Sequence, residues 1–150
     1  MRITHALVLV ALFGCSKKAE EAGEQAAGAY VAKSVKEDIA KLKEAIAKGD
    51  PSSAKFSCAH LANIDTLEKA DKAAAGELRT LCTKDLYLAM IKVEVEKVEA
   101  ARKAKPDEEV LSECYNAMYD YAKDEMEKAK TIDLAKDLVA RFEAACPPKK

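Results

Sequence analysis

From Val31 onward, apolar residues recur every three or four positions, the spacing that places them along one face of an α-helix. Val31, Val35, Ile39, Leu42 and Ile46 form the first such stripe, and Gly49 ends it. Asp50 is placed to cap a second helix with Pro51 at its first position. That helix is expected to run to about Lys69, carrying Phe56, Leu61, Ile64 and Leu67, with a turn over Glu68–Lys72. A third, from Ala73 to Lys105, carries Leu78, Leu81, Leu86, Ala89, Met90, Val93 and Ala100. Pro106 is expected to end it and to open a fourth, with Asp107, Glu108 and Glu109 against the positive end of its dipole and Leu111, Met118, Ala122 and Met126 as its stripe. A turn near Lys130-Thr131, with Thr131 as candidate cap, leads to a fifth helix through Leu134, Leu138, Phe142 and Ala145. Cys146-Pro147-Pro148 stops it.

Composition agrees with this all-α reading of about five antiparallel helices. Ala, Lys, Glu and Leu dominate, Trp is absent, and only five Gly and four Pro punctuate 150 residues. No stretch reads as a strand. With 25 Lys+Arg against 26 Asp+Glu the charge is balanced, so nothing favours nucleic acid, whose binding needs a basic face. Lys17-Lys18 and Lys149-Lys150 are short solvated clusters at the ends.

The first residues follow a different rule. Met1–His5 carries one Arg and no acid, Ala6–Phe13 is an unbroken apolar run, and Gly14-Cys15 follows. The run is far too short for a bilayer, which needs about 20 residues, and fits the centre of a secretory signal. Leu12-Phe13-Gly14-Cys15 resembles the lipobox of bacterial lipoproteins. That resemblance, confined to residues 1–16, implies cleavage before Cys15, a diacylglycerol on its thiol and a fatty acyl chain such as palmitate on its amino group. It also implies sorting to the outer membrane, facing the periplasm, because Ser16 is not Asp. The expected organisation is a signal peptide over 1–14, a lipidated Cys15 and charged tether over 15–29, and a helical domain over 30–150.

Five cysteines in an exported chain leave one over. Lipidation of Cys15 resolves the parity and leaves Cys58, Cys82, Cys114 and Cys146. In an antiparallel hairpin, residues equidistant from the turn lie level. The midpoint of Cys58 and Cys82 is position 70, and that of Cys114 and Cys146 is position 130, each inside a predicted turn. Helices packed 8–10 Å apart bring such pairs within bonding reach. Cys82 and Cys114 flank Pro106 unequally, an offset on the order of 24 Å. The geometry therefore selects Cys58–Cys82 and Cys114–Cys146, each closing a loop worth roughly 3–4 kcal/mol in the chain-entropy model. The fold expected is an elongated bundle or two disulfide-locked helical hairpins, with the third helix as shared spine. Ala47-Lys48-Gly49-Asp50 followed by Ala54 resembles the inter-helix signature of tetratricopeptide-like and Sel1-like repeats, which implies a protein-binding surface of stacked helix pairs.

Candidate chemistry is sparse. His60 is the only histidine after the leader, and no metal-ligand pair, C-x-x-C motif or phosphate loop occurs. No cofactor, metal or catalytic set is expected. Tyr115, Met118, Tyr119 and Tyr121 form the one aromatic concentration and mark the candidate interaction surface. The expected function is a membrane-anchored periplasmic domain that docks or scaffolds another envelope protein. The alternative is a carrier or sensor of a small apolar ligand held between helices in a cavity lined by Leu, Met and Tyr.

Overall fold

The computed structural model describes residues 30–146, so the signal peptide, Cys15, the tether over 15–29 and the last four residues lie outside the described part. Within it every element is helical and no strand occurs. We number the α-helices α1 (30–48), α2 (Ile64–Ala70), α3 (Lys72–Thr80), α4 (Leu86–Ala104), α5 (Ala117–Lys128) and α6 (Lys136–Ala145).

Helix α1 buries Val35, Ile39 and Leu42 of the stripe read from the sequence, with Ala45 beside them, and leaves Val31 and Ile46 partly buried against the core. It ends where Gly49 adopts φ +73°, with the Asp50 amide donating to the Ala45 carbonyl and that of Gly49 to Ile46. This is the two-bond closure that a left-handed residue permits after a helix.

Beyond Pro51 the chain departs from expectation. Pro51–Asn63 is a 3-10 helix, and α-geometry begins only at Ile64. A 3-10 helix repeats every three residues, so its side chains align in straight rows. The row Pro51, Ala54, Ser57, His60 turns inward; the row Ser53, Phe56, Ala59, Ala62 is exposed throughout. Phe56, expected in the core, is therefore 81% exposed.

Asp71 makes the turn into α3, its carboxylate accepting from the Ala74 amide at 3.0 Å. The predicted third helix is continuous from Lys72 to Ala104, about 50 Å at 1.5 Å per residue. It is interrupted in register by one π-helical stretch, Leu81–Asp85. The carbonyl of Thr83 within that stretch accepts from the Thr131 hydroxyl at 3.0 Å. Thr131 holds the N-cap position before Ile132, but its hydroxyl makes no cap bond and is directed instead to the Thr83 and Met126 carbonyls.

Pro106 does not open a helix. The chain from 105 to 111 is irregular, and exposed from 105 to 109, so Asp107, Glu108 and Glu109 occupy no first turn. Side-chain acceptors favour a helix start, and Lys105 offers none. Asn116 does: its Oδ1 accepts from the Met118 amide at 2.9 Å, and α5 starts there. Leu111 anchors the loop in extended conformation, fully buried. The last predicted helix begins as a 3-10 turn, Ile132–Ala135, which buries Ala135 and leaves Leu134 55% exposed.

The two disulfides join Cys58 to Cys82 and Cys114 to Cys146, the pairs selected by the midpoint argument, with Cα atoms 5.6 Å apart in both. Each locks a hairpin, one turning at Asp71 and the other at Lys130. A single apolar cluster runs through both. Helix α4 is the spine, packed against α5, α6 and the 3-10 segment.

Candidate functional site

The four residues of the predicted interaction surface do not share one face. Tyr119 is buried, its ring stacked on Phe142 with centroids 3.7 Å apart and planes nearly parallel. Burial, with the nearby Glu143, Asp120 and Glu127 carboxylates, pushes its phenol up to about 12. Its hydroxyl has no hydrogen-bond partner among the described residues. Met118 is half-buried against the core, while Tyr115 is 65% exposed. Tyr121 is half-buried and meets Tyr87 edge-on at 5.9 Å. Burial first, then the hydrogen bond to Tyr121, holds the Tyr87 phenol well above its ordinary range.

The patch that does reach solvent is built from other residues. Lys55, on the 3-10 segment, sets its ammonium 4.6 Å from the Tyr121 ring centroid and 5.9 Å from that of Phe56. A cation over an aromatic face is attracted by the ring's electron density. The result is a row of Phe56, Lys55 and Tyr121 that joins the first hairpin to α5. Phe56 and Lys55 escaped the sequence reading because an α-helical period hides them; counting in threes from Pro51 separates the exposed row.

His60 lies beside α1, with Nε2 3.3 Å from Ser34 Oγ and 3.2 Å from Asp38 Oδ2. The residue types are those of a hydrolytic triad, but the arrangement differs. A triad places the nucleophile on one ring nitrogen and the orienting carboxylate on the other. Here both fall on Nε2, so the group ties α1 to the 3-10 segment and sets up no proton relay.

An open cleft of about 680 Å³ lies between α1 and the α2–α3 turn, lined by Ala32, Lys33, Lys36, Glu37, Ala40, Ala70 and Asp71. Its walls are alanine and charge, unlike the Leu, Met and Tyr lining expected for an apolar ligand. Met90 and Met126 are packed into the core. Lys36 closes one side with a 2.9 Å ion pair to Asp71. The backbone amide of Ala74 and then Lys36 hold the Asp71 carboxyl below its usual range.

Polar clamps concentrate on the second hairpin. Glu94, 3% exposed in the middle of α4, accepts from the Asn116 amide and pairs with Lys97 at 2.9 Å. Arg102 donates twice to the Ala145 carbonyl, at 2.8 and 3.1 Å, and once to the Glu108 carbonyl. It therefore closes the negative end of α6 and fixes the loop after α4. Arg141 grips Glu99 with two bonds of 2.7 and 2.8 Å.

Among the described residues no cluster of His, Cys, Asp and Glu is arranged to hold a metal, and no helix is long and apolar enough to cross a membrane. No family model, curated protein or solved structure matches the chain.

Proposed function

We propose that this chain is a lipid-anchored protein of the bacterial envelope whose helical domain docks another envelope protein. The observation that carries the reading is where the sulfur goes. All four described cysteines are joined in two disulfides. The fifth is Cys15, in the lipobox-like Leu12–Cys15 stretch. Disulfides persist in oxidising compartments, which agrees with export; a cysteine left over at such a stretch agrees with lipidation. Docking is supported by Phe56, a large apolar side chain presented to solvent beside Lys55 and Tyr121, since aromatic residues are enriched where proteins meet. The partner in this reading is an envelope protein, the cofactor requirement is none, and the address is the periplasmic face of the outer membrane.

Growth with an alkyne-tagged palmitate analogue tests the anchor. Label is expected on the wild-type chain in the membrane fraction, and Cys15→Ser should lose both label and membrane association. An unlabelled wild-type chain recovered in the soluble fraction would refute the anchor. A photo-crosslinking residue at position 56 tests docking: one discrete adduct is expected in intact cells, and its absence alongside an adduct from Glu77 would move the contact elsewhere.

A further inference from the structure

Two ion pairs orient the molecule. Lys36 of α1 meets Asp71 and Lys43 meets Glu77, so α1 and α3 run in the same direction and in step. Tyr30, more than a turn before Lys36, therefore sits at the extremity formed by the α2–α3 turn. It is 76% exposed. Lys33 and Lys36 line the cleft there with Ala70 and Asp71, and Lys69 and Lys72 flank that turn, both exposed. Among the described residues Lys33, Lys69 and Lys72 have no carboxylate partner, while Glu37 and Asp71 are the acids of the cleft. The opposite extremity, about 50 Å away along α3–α4, mixes the exposed acids Asp107, Glu108 and Glu109 with the exposed Lys103 and Lys105, the latter paired with Glu108 at 3.3 Å.

Resting on the lipid-anchor reading, we propose that the Tyr30 end lies on the bilayer surface. Headgroup phosphates enter the cleft between Lys33 and the α2–α3 turn, and α3–α4 carries the other end away from the membrane. Three considerations converge. Fourteen residues lie between Cys15 and Tyr30, and the fully extended stretch spans at most about 50 Å. That reach places the Tyr30 end at the surface without tension, whereas bringing the far end down would use all of it. Lysines near an anionic leaflet are attracted within a Debye length, and the far loop, where acids and lysines are mixed, has no such unpaired cluster to draw it down. A solvent-exposed tyrosine is at home at headgroup level, where one end of the ring is apolar and the other wet.

The chain has no tryptophan, so a single one reports its own surroundings. The lipidated mature protein is reconstituted into phosphatidylcholine vesicles with or without phosphatidylglycerol, carrying Tyr30→Trp or, about 30 Å further along α3–α4 beside the Asn116–Glu94 contact, Tyr115→Trp. With brominated lipid, Tyr30→Trp emission should fall about twofold or more, strongest with phosphatidylglycerol, and that of Tyr115→Trp by no more than about a tenth. Adding Lys33→Glu, Lys69→Glu and Lys72→Glu should abolish the dependence on phosphatidylglycerol while the protein still floats with the vesicles. Equal quenching at positions 30 and 115 in floating protein would overturn the orientation and spare the anchor. Protein that does not float at all would overturn both.

Discussion

The two hairpins have the same covalent plan and are held to the rest of the molecule by different means. The first, from Pro51 to Asp85, is fastened by aliphatic packing on α1, by ion pairs such as Lys36–Asp71, and by Cys58–Cys82. Both of its sulfurs sit in helix of non-α register, one in the 3-10 segment and one in the π stretch. The second hairpin has its own exposed pair, Glu99–Arg141, and adds to Cys114–Cys146 two part-buried charged ties reaching from α4: Glu94 to Asn116, and Arg102 to the Ala145 carbonyl. An exposed ion pair contributes little, about 0–1 kcal/mol, whereas a partly buried charge that satisfies carbonyls or a helix cap contributes more and leaves an uncompensated group when cut. The first hairpin therefore depends on its disulfide for definition. The second has a redundant set of ties.

The sharpest way to break that contrast is to remove the disulfides in turn. Chain entropy alone assigns roughly 3–4 kcal/mol to each, because sequence separations of 24 and 32 differ little on a logarithmic scale. Urea denaturation of Cys58→Ser/Cys82→Ser and Cys114→Ser/Cys146→Ser should show comparable global losses. Hydrogen exchange should separate them: amides of Pro51–Asn63 lose protection in the first variant, while those of α6 stay protected in the second. Uniform loss in both would remove the distinction.

Asn116→Ala attacks the ties of the second hairpin directly. It takes an acceptor from the α5 amides and a donor from the buried Glu94, so a cost of about 1–3 kcal/mol is expected by thermal or urea unfolding. Two left-handed residues offer a smaller test with opposite signs. Gly49 (φ +73°) and Lys130 (φ 58°) end α1 and α5 in the same conformation. Gly49→Ala should cost about 1 kcal/mol, and Lys130→Gly should stabilise by about 0.5–1 kcal/mol, because only glycine adopts that conformation without a Cβ clash.

Acid titration touches both hairpins at once. Asp71 is held low by the Ala74 amide and Lys36, and Glu99 by Arg141. A carboxylate whose folded value is depressed contributes stability above its unfolded value and loses it as pH falls through the folded one. The thermal midpoint should thus be flat above about pH 5 and fall below the ordinary carboxylate range near 4. Asp71→Asn keeps a capping oxygen but cannot titrate, so its acid limb should be shallower.

What the sequence could announce follows from which forces are local. The α1 stripe, the Gly49 stop, the turn at Asp71 and the all-α class depend on spacing and on single residues with a fixed conformational preference. The cysteine pairing was legible because antiparallel geometry converts sequence distance into level. The 3-10 run carries no such mark: its residues are compatible with either helix, and only the row pattern, seen once folded, explains the exposure of Phe56. The π stretch contains neither Gly nor Pro and shows itself through a tertiary partner, Thr131. Pro106 misled because the residue before it, Lys105, has no acceptor to favour a helix there, and the capping side chain, Asn116, comes ten residues after Pro106. Tyr121 was named from the sequence, but the residues that share its row, Lys55 and Phe56, come from the segment whose period was misjudged.

Intact-mass and peptide mass spectrometry of the native protein, extracted from membranes without reduction, bears most directly on the assignment of all five sulfurs. The expected chain begins at Cys15 with its acyl groups attached, and its unreduced digest joins the Cys58 peptide to Cys82 and the Cys114 peptide to Cys146. A chain that retains residues 1–14 with an unmodified Cys15, or a crosslink that draws Cys15 into a disulfide, would contradict it.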